Sequence, residues 1–257
     1  MWHKNQAPHA HFHFELKIAS IPSVLQLKNI EKTKTMTDSQ YGGRKHRQAQ
    51  SAVLNKLLYY NYQFLMAEDA AWVDKDARNC FDRLLPALTT LQSECHGAHK
   101  SSSKFMLKSL AKQKIKLKTG FGVTSGAYSS TKTKPIFGTG QGMGWSLLAC
   151  NTNLNVVDKC MNTYCTGMHY QSPDKSIRVT TIGDCFVDDT EHGVNVQPNI
   201  TKNQLISQIQ FNDQKHTYYW HVTGGRIAVD KCSWYHLTFN YKKGIPIPIE
   251  SSCDLET

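Results

Sequence analysis

The tetrapeptide Phe186-Val187-Asp188-Asp189 constrains this chain more than any other stretch. Strand formers run directly into two adjacent carboxylates, a pattern that predicts a tight β-hairpin with the aspartates at its tip. Taken alone, an Asp-Asp pair is most often a solvated turn. A carboxylate brought in from another strand would convert it into a site for two Mg²⁺ ions. Mg²⁺ is held by one or two carboxylates together with substrate phosphates, and paired ions clamp the attacking and leaving oxygens of phosphoryl transfer. Such a carboxylate stands upstream in Asp76-Ala77-Arg78-Asn79-Cys80-Phe81-Asp82.

Two further segments keep a fixed order with these clusters. Gly138-Thr139-Gly140-Gln141-Gly142-Met143-Gly144-Trp145-Ser146 opens an apolar, helix-like run, and Thr223-Gly224-Gly225 leads to Lys231-Cys232. The glycine-rich turn has no Lys-Ser/Thr after it, so it is not a nucleotide-binding loop of the Walker type. Taken in order, the four segments resemble the palm of a reverse transcriptase, closest to those of non-LTR-type retroelements. Gln40-Tyr41-Gly42-Gly43-Arg44 resembles the glutamine-glycine segment that ends the fingers of such enzymes, and the resemblance covers residues 38–241. Leu147 stands where the family usually has proline after its serine.

The resemblance implies an α+β fold: the fingers and palm of a right-hand polymerase, with an antiparallel palm sheet flanked by helices and the thumb largely missing. It implies an RNA-directed DNA polymerase that transfers nucleotides from dNTPs to a DNA primer 3′-hydroxyl on an RNA template. Its cofactors would be two Mg²⁺ ions, with Mn²⁺ as a substitute. Asp76 and Asp188 would bridge the metals, Asp189 would be the third carboxylate, and Lys231 would give a proton to pyrophosphate. Phe81, five residues after Asp76, would lie beneath the incoming sugar and exclude a ribose 2′-hydroxyl. Gln141 and Gly142 would meet the template or nucleotide. Arg44 and Arg47 are candidate triphosphate contacts, because a guanidinium fork suits phosphate. The plainer alternatives are a core phenylalanine at position 81, a surface lysine at 231, and a helix N-cap at Asp76.

Composition agrees with a nucleic-acid partner. The chain has 257 residues and a net charge of +10, which favours polyanions. Its hydrophobic content of 40% is that of a globular protein. Without a membrane-length apolar run or a leader-like start, a soluble intracellular protein of cytoplasm or nucleus is expected. The eight cysteines form no CxxC pair and are expected as reduced thiols. His9, His11 and His13 share one face of a strand but have no second ligand group nearby.

Along the chain, residues 1–69 are expected as an N-terminal segment with partial fingers, 70–91 as the first part of the palm, and 92–136 as a basic fingers excursion. Residues 137–241 would complete the palm and 242–257 form a tail. The stretch 47–66 reads as a helix carrying Val53, Leu57, Leu58 and Leu65, and 70–75 as a strand delivering Asp76. Pro86 either kinks a helix or starts another. Helices are expected up to about Tyr164 and over 202–221, strands over 176–181 and 193–196, and a strand or hairpin over 226–239. Lys104, Lys108 and Lys112 form a ridge at helical spacing. Lys114, Lys116 and Lys118 alternate with Ile115 and Leu117, as in a strand with one lysine face and one apolar face. These six lysines suit either a solvated surface or a track for a phosphate backbone. A truncated or decayed retroelement fragment, binding nucleic acid without polymerising, is the competing reading. An RNA-copying polymerase and a group II intron-type maturase share the same metal logic.

Overall fold

The computed structural model describes residues 30–32, 34–135, 137–140 and 145–251. The His9–His13 cluster, Gln141 and Gly142 lie outside the described residues. The described residues mix helices and strands in two compact units, one built from residues 36–80 and 153–251, the other from those described within 30–35 and 81–152.

The first unit is organised by β1 (Ala70–Asp76), the central strand of a five-stranded antiparallel sheet. It follows α1 (Ala49–Met66) and pairs on one side with β9 (Asp189–Asn195), beside which lies β8 (Cys185–Phe186). On its other side come β10 (Ser233–Lys242) and the edge strand β11 (Ile245–Ser251), so the segment expected as a tail extends the sheet. Pro246 and Pro248 share one parity within β11, so their missing N–H groups fall on the outer edge, where they block pairing with another chain. The hairpin β6 (Met168–Gln171) and β7 (Arg178–Thr181) completes the strands of this unit.

Alternation along β1 determines the layers, because successive side chains point to opposite faces. Ala71 and Val73 face α6 (Lys202–Val222) and join Val194, Leu205, Ile209 and Trp234 in one core. On this same face Lys75 is buried and ion-paired with Asp213 at 2.5 Å, and its ammonium also donates to the Thr217 hydroxyl at 2.6 Å. Ala70 and Trp72 face the other way and pack with Met168, Tyr170, Leu237 and Phe239. The indole of Trp72 lies against Gly193 on the neighbouring strand. A Cβ there would come within 2.7 Å of the indole and of the Met168 sulfur, so only glycine fits.

Helix α1 covers this second core with tyrosines. Tyr60 stacks on Trp72 with ring centroids 4.4 Å apart, Tyr59 stacks on Tyr170 at 4.8 Å, and Tyr62 meets Tyr170 edge-on. The helix therefore forms where its pattern predicts but docks by a different face. Val53, Leu57, Leu58 and Leu65 are exposed, Leu65 to 85%. The aromatic rings bury more area per side chain and reach the sheet at close range.

The second unit contains α2 (Cys80–Arg83), which starts at the unit boundary, then α3 (Pro86–Cys95) and α4 (Lys100–Ala111). Pro86 begins a helix rather than kinking one, since its missing N–H costs nothing in the first turn. Met106 and Leu110 pack with Trp145. Helix α5 (Ser146–Tyr164) begins in this unit and ends in the first. The expected lysine strand is instead two two-residue strands, β2 (Lys114–Ile115) and β3 (Lys118–Thr119). They pair with β5 (Tyr128–Ser129) and β4 (Gly122–Val123) respectively. Leu117 is exposed, so this segment has no buried apolar face. None of the seven described cysteines is joined in a disulfide. No helix among the described residues is long and apolar enough to cross a membrane.

Candidate active site

The register of β1 against β9 places Asp76 directly opposite Asp189, and two residues back it places Asp74 opposite Glu191. Residues opposed in this way share a face with Cβ atoms about 5 Å apart, and like charges in such positions repel. One stretch of the sheet therefore carries four carboxylates. Two lysines compensate. Lys231, from the 3₁₀ turn Val229–Lys231, places its ammonium 2.6 Å from Asp76. Lys56 of α1 reaches Asp74 at 2.7 Å and Glu191 at 3.3 Å.

Asp188 sits in the two-residue loop that joins Phe186 to Asp189, the closing pair of the β8–β9 hairpin. Val187, the first residue of this loop, has φ +60°. A positive φ at the first central position is the geometry of a II′-like hairpin turn, which normally takes glycine there. In a β-branched residue it is strained by about 1–3 kcal/mol and persists only when its surroundings enforce it.

The enforcing element is the segment 37–42, which lies along β8. Gln40 makes a parallel bridge to Cys185, the Tyr41 amide donates to the Cys185 carbonyl at 2.8 Å, and the Cys185 amide donates to the Ser39 carbonyl at 2.8 Å. The fully buried Gln40 Oε1 accepts from the Gly42 amide at 2.9 Å and from the Val187 amide at 3.4 Å. A Cβ on Gly42 would lie 2.5 Å from both the amide nitrogen and Cγ2 of Val187. The segment is anchored at its start by Asp158 of α5, whose carboxylate accepts from Ser39 at 2.6 Å and Thr37 at 2.9 Å.

The four catalytic candidates Asp76, Asp188, Asp189 and Lys231 thus meet at one end of the sheet. Burial raises the pKa of Asp188, the Asp76 charge adds to the rise, and Lys231 opposes it. Asp189 is raised by burial and then by Asp188 and Asp76. The Lys231 ammonium is held above its ordinary range by its hydrogen bond to Asp76. Asp76, Asp189 and Lys231 line an open cleft of about 260 Å³, together with Val53, Lys56 and Glu191.

The remaining candidates sit elsewhere. Arg44 donates to the carbonyls of Thr37 and Gln40 at 2.6 and 2.9 Å, and Arg47 pairs with Asp38 and lies over the Tyr41 ring. Both guanidinium groups support the segment that braces the turn. Phe81 belongs to the second unit, where it is half-buried and its carbonyl accepts from the Thr139 amide at 2.8 Å. Ser146 donates to the carbonyls of Thr139 and Gly140. Lys104, Lys108, Lys112, Lys114, Lys116 and Lys118 are all exposed in that unit.

Sequence reasoning missed Asp74, Glu191, Asp184 and Lys56. The first two were within reach, because each lies two residues from a candidate aspartate on a strand. Lys56 gave no signal. Burial lifts Glu191 to a pKa of about 7 against the pull of Lys56, and lifts Asp184, beside Asn55, to about 6. The Asp184 carboxyl binds more protons folded than unfolded between its ordinary pKa near 3.8 and about 6. Its contribution to stability is therefore full below about pH 4 and is lost as pH rises through 6. Asp184→Asn should accordingly gain stability over the wild type as pH increases from 4 to 7, by at most about 3 kcal/mol. Paired melting curves across that range test this, and a pH-independent difference would refute it.

The fold as a whole is similar to that of telomerase. The chain aligns with the telomerase from Candida tropicalis solved with a TWJ fragment of telomeric RNA at TM-score 0.56 and 10% identity, over 86% of this chain and 33% of that one. It aligns with apo telomerase from the same organism at TM-score 0.53 and 11% identity, over 90% and 38%. With the form truncated from its C-terminal domain the values are 0.53, 9%, 93% and 44%. The chain thus spans between a third and a half of these telomerase chains. Identities this low make the likeness one of fold. No protein-family model matches the sequence, and no curated protein matches it.

Proposed function

We propose that the chain is the nucleotidyl-transferring portion of an RNA-directed DNA polymerase of a non-LTR-type retroelement, with the five-stranded sheet as its palm. The observation that carries this reading is the register that sets Asp76 across from Asp189, with Asp188 on the adjoining braced turn. The fold shared with telomerase supports a polymerase scaffold.

The donor set fits Mg²⁺. Among the described residues no three acidic, histidine or cysteine side chains form a ready-made cage. Mg²⁺ in phosphoryl-transfer sites is held instead by one or two carboxylates plus substrate phosphates and water, and facing carboxylates supply that set. Asp76, Asp188 and Asp189 would hold two ions. When bound, they lower the pKa of a primer 3′-hydroxyl and neutralise the leaving pyrophosphate. The repulsion and burial that raise Asp188 and Asp189 are the cost of keeping anionic oxygens together ahead of that binding. Lys231 screens Asp76 and, being largely exposed, presents a cation that can stabilise or protonate pyrophosphate. Phe81 would discriminate dNTPs from rNTPs, and the RNA template and DNA primer would bind to the exposed lysines.

One observation favours the competing reading, a fragment that binds nucleic acid without polymerising: the Lys231 ammonium already occupies Asp76. Primer extension on poly(rA)/oligo(dT) separates the two. The polymerase reading expects dTTP incorporation that requires Mg²⁺ or Mn²⁺ and stops with EDTA. Duplex binding with no incorporation at any metal concentration would leave only the binding role.

A further inference from the structure

The hairpin of residues 114–129 buries almost nothing, yet it is built with some care. Its outer strands β2 and β5 pair through Lys114 with Ser129 and Ile115 with Tyr128. Its inner strands β3 and β4 pair through Lys118 with Val123 and Thr119 with Gly122. Leu117 joins the two levels, since its carbonyl accepts from the Thr124 amide at 2.9 Å and its own amide donates to the Thr124 hydroxyl at 3.2 Å. At the tip the Thr119 hydroxyl accepts from the Phe121 amide at 3.2 Å. The Phe121 side chain is fully exposed, and Leu117, Val123 and Tyr128 are each more than half exposed.

An isolated two-stranded hairpin is only marginally stable in water, and displaying a phenylalanine at its tip gains nothing unless a partner covers it. Charge identifies that partner. From Cys95 to Val157 the chain contains no aspartate or glutamate, while Lys112, Lys114, Lys116, Lys118, Lys132 and Lys134 lie in or beside the arm. All six are exposed. Lysines alone would serve any phosphate backbone. Exposed rings among lysines suit a strand whose bases are unpaired, because stacking needs a free base face that a duplex does not offer.

The geometry points to a single-stranded nucleic-acid arm in residues 112–134, in which Phe121 and Tyr128 stack on bases while the lysines follow the phosphates. The assignment deepens the nucleic-acid reading above by naming the form of strand and the residues that select it.

Fluorescence anisotropy on the full chain, with labelled oligo(dT), oligo(U) and a blunt duplex, tests this. Phe121→Ala should weaken single-strand binding about tenfold and leave duplex binding nearly unchanged. Replacing Lys114, Lys116 and Lys118 together by alanine should weaken both and reduce the salt slope of single-strand binding by about 2. Because all these side chains are exposed, circular dichroism should match the wild type. Wild-type affinity for oligo(dT) in a Phe121→Ala/Tyr128→Ala double variant would overturn the assignment. So would equal losses on single strand and duplex, or binding to phosphatidylserine vesicles in place of oligonucleotides. Absence of primer extension alongside the expected stacking result would strike the polymerase reading and leave the arm standing.

Discussion

Asp188→Asn is expected to abolish primer extension, by about a thousandfold or more, while the melting temperature stays level or rises. On the proposed two-metal reading, the loss follows from removing a carboxylate that would support metal-bound charge in the transition state, an effect of several kcal/mol at about 1.4 kcal/mol per factor of ten. The gain follows from the same geometry. Burial and the Asp76 charge both raise Asp188, so a neutral amide at this position relieves repulsion worth about 0.2–1 kcal/mol. A fold-supporting residue would behave in the opposite way, with stability and activity falling together. Single-nucleotide extension over a Mg²⁺ titration, run beside thermal melts, reads both quantities. Extension within tenfold of the wild type would remove Asp188 from the catalytic set.

Gly42→Ala should damage the same site from behind. Its methyl group would need the space held by the Val187 amide and Cγ2, each 2.5 Å away. The turn must move, because backbone cannot rotate aside as a flexible side chain would. Overpacking of this kind costs about 1–3 kcal/mol. A displacement of about 1 Å at reacting groups lowers rate about a hundredfold. Val187→Gly in the same chain removes Cγ2 and relaxes the positive φ, so it should restore part of the lost activity. A Gly42→Ala variant with wild-type extension rate and Mg²⁺ dependence would show that segment 37–42 does not brace the turn. Gln40→Ala provides an independent check, since it leaves the steric contact intact and removes only the acceptor shared by Gly42 and Val187.

Much of this site was legible because it is written in local chemistry. Phe186-Val187 ahead of two aspartates is a strand entering a turn, and β8 and β9 close there. The strand delivering Asp76, the helix ending at Tyr164 and the long helix beginning at Lys202 also follow from periodicity. Other features follow from the sequence as elements, while their surroundings come from tertiary packing. The apolar spacing of Val53, Leu57, Leu58 and Leu65 marks α1 as a helix, yet Tyr59 and Tyr60 dock it and those four residues face solvent. Gln40 and Gly42, which resemble the glutamine-glycine segment that ends the fingers of reverse transcriptases, lie against the strained turn in the unit that carries the catalytic candidates. Lys114 to Lys118 had a strand pattern, but with no core to cover, it broke into a short hairpin.

The sequence by itself determined which carboxylates this protein has, that two of them share a hairpin turn, and that a third ends a strand. Those are short-range facts, settled by side-chain alternation and turn chemistry within a few residues. Only the tertiary structure decided that Asp76 lies opposite Asp189, that Lys56 and Lys231 neutralise the acidic face, and that Gly42 presses on Val187. Each of these joins residues far apart in the chain. A one-residue slip in the register of β1 would turn Asp76 to the opposite face, and what prevents it is the packing of Trp72 against Gly193 and Tyr60.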